Sequence, residues 1–142
     1  MTDRSASVVW HGDLLHGGGT IAKAPSGAFG PLDVTWASRA EEPDGRTSPE
    51  ELIASAWAAC FAMSLSNVLA KAETPPERLE TSATVTFQPG QGIIKGALTV
   101  RGTVPGIDGD AFDAAALDAK QNCPVSKALA GIPEVTLEAT LA

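Results

Sequence analysis

The chain has 142 residues, 44% of them hydrophobic and 19% charged. That length suits one domain spanning 1–142, and the composition supports a packed core rather than wholesale disorder. Ten Lys and Arg against 17 Asp and Glu give a net charge of −7, which argues against sequence-independent nucleic-acid binding and against docking on anionic membranes, because both need clustered cations.

Ser7-Val8-Val9-Trp10 is β-branched and aromatic, and the turn signals at Gly12 and Gly17-Gly18-Gly19 follow it, so a first strand is expected there. Thr20-Ile21-Ala22 predicts a second strand. The alternation from Leu32 to Ala37 predicts a third with one wet face. Glu41 to Thr47, with Pro43, Asp44 and Gly45, reads as a loop. A helix start follows: Ser48 suits the N-cap, Pro49 the first helical position, and Glu51 the third position of a capping box, while Glu50 and Glu51 complement the positive helix end. From Leu52 to about Ala72 neither Gly nor Pro intervenes. As far as Leu65 the run is apolar on nearly all sides, with Ala54, Ser55, Ala56, Ala58 and Ala59 on several faces. A helix apolar all round is buried all round, so either sheets wrap this one or a second subunit covers it. Ser55 and Ser64 interrupt the run before it reaches the ~20 residues of a membrane span.

Pro75-Pro76 ends the helix. Glu80 to Phe87 and Ile93 to Val104 predict a hairpin around Gly90 and Gly92. Asp108 caps a helix from Gly109 to about Gln121, whose Ala111, Phe112, Ala115, Ala116 and Ala119 fall on one stripe. Pro124 stops it and opens a short helix to about Ala130, ended by Gly131, and Val135 to Leu141 closes the chain as a strand. The order β-β-β-α-β-β-α-α-β predicts an α+β fold with antiparallel hairpins. Met1-Thr2-Asp3-Arg4-Ser5 does not lead into the apolar stretch of a signal peptide, so the expected compartment is the reducing cytoplasm. Two cysteines there are more often free, catalytic or redox-active than a permanent crosslink.

Cys60 falls in the apolar helix, on the third turn after its cap, where a cysteine ordinarily serves as a small core residue. Cys123 falls where one helix stops and the next begins. Backbone N–H groups and a positive helix end there lower a thiol's pKa, although a structural role is equally open. The spacing matches neither a zinc pattern nor C-x-x-C, and His11 and His16 read as hairpin-surface residues rather than metal ligands. Cys60 is too far from the helix start to gain from the dipole, and burial raises a thiol's pKa. A reactive Cys60 therefore needs a permanent cation, a role that suits arginine. Arg39, expected at the end of the third strand, is a candidate, though most arginines are simply solvated. An arginine near an apolar cavity needs a carboxylate. Glu50 or Glu51 can provide one, capping being their other role. Two readings from other classes stay open: a redox-sensing or hydrophobic-ligand-binding module without turnover, and a structural domain with inert thiols.

Thr47-Ser48-Pro49-Glu50-Glu51-Leu52-Ile53, followed by Ala58-Ala59-Cys60-Phe61-Ala62-Met63-Ser64-Leu65, resembles the signature of the OsmC and organic hydroperoxide resistance (Ohr) family. So do Val104-Pro105-Gly106-Ile107-Asp108 and Asn122-Cys123-Pro124-Val125-Ser126-Lys127-Ala128-Leu129, so the resemblance runs over nearly the whole chain. Arg39, about twenty residues before Cys60, and the Cys-Pro-Val-Ser form are similar to the OsmC branch. Trp57 stands where a His or Tyr is expected. The resemblance implies an intertwined dimer with antiparallel sheets wrapped around long central helices. It also implies a thiol peroxidase without cofactor or metal, in which Cys60 is the peroxidatic thiol, Cys123 the resolving one, Arg39 the activator of Cys60, and Glu50 the residue that orients Arg39. The Cys60–Cys123 disulfide would then be reduced by an external dithiol, with a lipoyl protein as the implied partner. Trp57, Phe61, Met63 and Phe112 are expected to form an apolar pocket favouring organic hydroperoxides, since burial rewards an apolar tail by ~25 cal/mol per Å².

If residues 49–72 form one helix, Glu50 and Cys60 lie ~15 Å apart along its axis. One compact site cannot easily hold both from the same copy. A Glu50 serving the Cys60 site would come from a partner chain, with two such helices crossing antiparallel. The expectation is an obligate homodimer with two composite sites.

Overall fold

The first three strands are β1 (Val8–His11), β2 (Gly18–Ile21) and β3 (Leu32–Val34), which pair antiparallel in that order. Trp10 lies opposite Gly19, where a Cβ would come within 2.7 Å of the indole ring. The strand expected to reach Ala37 stops at Val34. A short helix, α1 (Trp36–Ala40), follows instead. Its start is a reciprocal cap: the Ser38 N–H donates to Thr35 Oγ1 at 3.0 Å, and the Thr35 N–H donates to Ser38 Oγ at 2.9 Å. Those two bonds turn the chain at Thr35, so Arg39 belongs to a helix and not to a strand end. The loop then returns beside β3, with the Thr47 N–H donating to the Asp33 carbonyl at 3.0 Å.

α2 (Pro49–Lys71) begins as its punctuation predicts, with the Glu51 N–H donating to Ser48 Oγ at 3.1 Å. By length and composition this helix could cross a membrane, which the shorter apolar run to Leu65 does not suggest. It instead packs Trp57, Phe61, Leu65 and Leu69, spaced i, i+4, into a protein core. Burial on all sides does not occur within the chain. Ala56 and Ala59 are exposed, and Met63 is 73% exposed.

β4 (Arg78–Gln88) and β5 (Gly92–Thr103) form the expected antiparallel hairpin. α3 (Gly109–Asn122) starts at Asp108, whose carboxylate accepts the Ala111 N–H at 2.9 Å, and α4 (Pro124–Ala128) starts at Cys123. β6 (Glu134–Leu141) joins β5 in parallel, not antiparallel. The cause is the connection: α3 and α4 carry the chain back across the sheet, as a crossover between parallel strands requires. The arrangement is α+β, in the expected order apart from α1.

The structure, a computed structural model, describes all residues 1–142 in two compact units, Met1–Leu52 and Ile53–Ala142. The core of the second joins the α2 stripe to Leu98 and Val100 of β5 and to Phe112, Ala116, Ala119 and Cys123. Two glycines of β5 make room for its largest rings. A Cβ on Gly96 would come within 2.6 Å of the Trp57 indole, and one on Gly102 within 2.5 Å of the Phe112 ring.

Candidate active site

Cys60 is half-buried on one flank of α2, and Cys123 is fully buried between α3 and α4. Pro124 disfavours helical backbone at Cys123, which adopts φ −64° and ψ 121° and ends α3. Its N–H still donates to the Ala119 carbonyl at 2.9 Å, and its carbonyl accepts the Lys127 N–H at 3.0 Å. Ser64, one turn after Cys60, donates its hydroxyl to the same Ala119 carbonyl at 2.9 Å and pins α3 to α2. The two sulfurs, 63 positions apart in sequence, lie 2.9 Å from each other as free thiols. That is contact, beyond the ~2.05 Å of a bond, so a disulfide needs little movement.

Burial pushes the Cys60 thiol up, and its hydrogen bond and repulsion with Cys123 act the same way, outweighing the Val125 N–H. Burial also pushes Cys123 up. There it is outweighed by the hydrogen bonds from Cys60, from the N–H and hydroxyl of Ser126, and from the Val125 N–H, so this thiol lies below its ordinary value. Both directions agree with the sequence reading: burial raises a mid-helix thiol, and the start of α4 favours a thiolate. The pair loses its two protons in steps that belong to both groups.

Arg39 and Glu50 meet within the first unit. Arg39 Nε donates to Glu50 Oε1 at 3.0 Å and Oε2 at 3.1 Å, and Nη2 donates to Oε1 at 2.7 Å. Glu50 is buried, whereas the Arg39 side chain is 32% exposed. Glu51 accepts the Thr47 hydroxyl at 2.7 Å. Of the two carboxylates left open by the sequence, Glu50 is the one that grips Arg39 in a fork. Arg39 also lines a cleft of about 90 Å³ with Trp10, Leu14, Val34, Trp36 and Pro49. Sequence reasoning did not assign Trp10 and Trp36 to any site. One tryptophan within the first strand and one just past the third, in a chain with only 5% aromatic residues, were the available signal.

The four residues expected around an apolar pocket, Trp57, Phe61, Met63 and Phe112, have different surroundings in this chain. Met63 lines a groove of about 550 Å³ beside Cys60, together with Ser64, Asn67, Val68, Lys71, Asp118, Asn122 and Pro124. Trp57 lines a separate depression of about 400 Å³ with Ser126, Leu129 and Ile132. Phe61 and Phe112 are both 0% exposed in the core and line neither. The reason is helical: Phe61 follows Cys60 in sequence but points about 100° away. Ser64, Asn67 and Lys71 share the face of Cys60 at the i+4, i+7 and i+11 positions, a periodicity that could have identified the groove walls. His16 pairs with Asp13 at 3.0 Å on the exposed β1–β2 connection, as a hairpin-surface residue would.

The family described as OsmC-like protein matches residues 42–138. Over 132 residues the chain is 40% identical to a protein named peroxiredoxin OsmC from Escherichia coli, covering 91% of this chain and 90% of that one. It is 35% identical over 113 residues to the organic hydroperoxide resistance protein OhrA of Bacillus subtilis, covering 75% and 78%. A crystal structure of an organic hydroperoxide resistance protein OsmC from Legionella pneumophila aligns with a TM-score of 0.71 at 23% identity over 99% of each chain, a likeness of fold.

Proposed function

The chain belongs to the OsmC family, and from that premise we propose that it is a cysteine-based peroxidase that reduces organic hydroperoxides to alcohols. The observation that carries this reading is the 2.9 Å approach of Cys60 Sγ and Cys123 Sγ. The Cys60 thiolate attacks the outer peroxide oxygen. The O–O bond breaks, the alkoxide leaves and takes a proton, and Cys60 becomes a sulfenic acid. Cys123 then attacks that sulfur, forming the Cys60–Cys123 disulfide and releasing water. Two thiol–disulfide exchanges with an external dithiol, a lipoyl protein in this reading, restore both thiols.

Arg39 supplies the cation that Cys60 needs, and the buried fork from Glu50 holds it in place. Glu50 precedes Cys60 on one continuous helix, ~15 Å away along the axis, so the Arg39–Glu50 pair serves the Cys60 of a second copy. The exposed apolar residues Ala56, Ala59 and Met63 on α2 support the same conclusion. The protein in this reading is an obligate, intertwined homodimer of one-domain chains with two composite sites, working in the cytoplasm without a cofactor. A fully active monomer in light scattering would overturn that assembly.

The deciding experiment is steady-state consumption of cumene hydroperoxide against hydrogen peroxide, each with a dihydrolipoyl reductant and with thioredoxin. Faster turnover of the organic peroxide with the lipoyl dithiol is the expected result. Consumption that stops after one equivalent with every dithiol would mark a sensor instead.

A further inference from the structure

A disulfide offers two sulfurs to a reductant, and the surroundings of this pair make them unequal. Cys60 is half-buried and lines the groove of about 550 Å³ along α2. Met63, Asn67 and Val68 line the groove from α2, and Asn122 lines it from the end of α3. Cys123 does not line it and is 0% exposed. The Cys123 backbone is also fixed, its N–H on the Ala119 carbonyl at 2.9 Å and its carbonyl on the Lys127 N–H at 3.0 Å. Closing the 2.9 Å sulfur contact to a bond of ~2.05 Å moves the two atoms together by about an ångström. That movement is too small to bring Cys123 to the surface, so the disulfide presents Cys60 alone to the groove.

We infer that the reducing dithiol binds along the groove of Cys60 and attacks the Cys60 sulfur, with Cys123 as the leaving thiolate. The inference rests on the peroxidase reading and assigns the order of its last two exchanges. A thiolate of the reductant attacks Cys60 Sγ. The Cys60–Cys123 bond breaks, a mixed disulfide forms on Cys60, and Cys123 departs as a thiolate and takes a proton. The second thiolate of the reductant then attacks its own bound sulfur. The reductant leaves as a cyclic disulfide, and Cys60 is released as a thiolate and takes a proton. Cys123 suits the leaving role, because its thiol lies below the ordinary value and a thiol of lower pKa leaves faster.

The groove also describes its occupant. Met63 and Val68 suit a hydrocarbon arm, Asn67 suits a neutral polar group, and Lys71 and Asp118 contribute one charge of each sign. A dithiol on an uncharged hydrocarbon arm fits those walls. The sulfur contact then selects dithiols over monothiols. Once released, Cys123 remains beside Cys60 and can recapture it, which restores the disulfide and expels the reductant. A monothiol must wait for a second molecule, whereas a dithiol completes the exchange with its own second sulfur at a high effective molarity.

The test starts from protein oxidised with diamide, which makes the disulfide without peroxide turnover. The oxidised protein is mixed with dihydrolipoamide or with glutathione and quenched in acid, and mass spectrometry reads which cysteine carries the reductant. Both adducts are expected on Cys60, with Cys123 free. Net reduction by about 10 mM glutathione should be at least about a hundredfold slower than by the dithiol at the same thiol concentration. Asn67→Trp, a change at an exposed position of α2 that fills the groove, should slow adduct formation about tenfold, from the crowding of a bulkier side chain. Circular dichroism of that variant should match the parent. An adduct on Cys123 would overturn the inference. So would glutathione reducing the protein as fast as the dithiol, or a parent-like rate of adduct formation in Asn67→Trp. A chain that diamide leaves with two free thiols would overturn it as well. Failure of Cys60 to form a sulfenic acid shows only in a peroxide pulse and removes the peroxidase reading, so the two failures are told apart.

Discussion

Cys60→Ser is expected to reduce hydroperoxide consumption to the uncatalysed background, below about one thousandth of the parent rate. The serine keeps the shape of the site but removes the atom that is oxidised, and the remaining thiol, Cys123, is fully buried. The same change at Cys123 has a different outcome. Cys123→Ser should consume one equivalent of hydroperoxide and then stop, because a hydroxyl beside Cys60 cannot close a disulfide. Its Cys60 should then advance to sulfinic and sulfonic acids as peroxide is added. Steady-state rates and the mass of Cys60-containing peptides after a peroxide pulse read both outcomes. The 2.9 Å contact between the sulfurs makes the contrast sharp, since a sulfenic acid formed on Cys60 would lie within reach of the Cys123 thiol. Parent-like turnover in Cys60→Ser would overturn the assignment.

Glu50→Ala is expected to slow sulfenic acid formation on Cys60 about a hundredfold, the scale of loss when a charged group is left free to wander by an ångström or more. The carboxylate holds Arg39 through three contacts of 2.7–3.1 Å, and bidentate, charge-assisted bonds of this kind fix orientation as well as charge. Arg39→Ala should do at least as much damage. Arg39→Lys should rescue little of it, because an ammonium cannot reproduce the fork. Both alanine variants should also melt earlier. Arg39 is one-third exposed, so the loss should fall below the ~3–5 kcal/mol of a fully buried pair, at about 1–3 kcal/mol. Second-order rates of sulfenic acid trapping, with thermal unfolding in parallel, separate the two effects. An unchanged trapping rate in both alanine variants would remove the pair from the site.

Much of this was legible in the chain because the signals act over three or four residues. Ser48, Pro49 and Glu51 start α2 and Asp108 starts α3, each through a cap whose partner is near in sequence, and Pro124 divides α3 from α4 by disfavouring helical backbone at Cys123. The reciprocal cap of Thr35 and Ser38 is equally local. It went unread because Trp36 and Ala37 also continue the alternation of β3, and a five-residue helix offers no periodicity to set against that. The motif resemblance brought Cys60, Cys123, Arg39 and Glu50 together as a group, and the structure joins them as two contacting pairs, each within its own unit.

The sequence alone thus determined α2, α3 and α4, the hairpin, the family, and which thiols and charges to examine, because each depends on local hydrogen bonding or on residue identity. Only the tertiary structure decided the direction of β6, the separation of Trp57 and Phe61 from the groove of Cys60, and the seat of the Trp57 ring on Gly96. Those outcomes depend on packing between distant segments. The α3–α4 crossover sets the run of β6, and the bare Gly96 backbone admits the Trp57 ring. Close packing of that kind has no signature in any short stretch of chain, because the neighbours that impose it come from elsewhere in the fold.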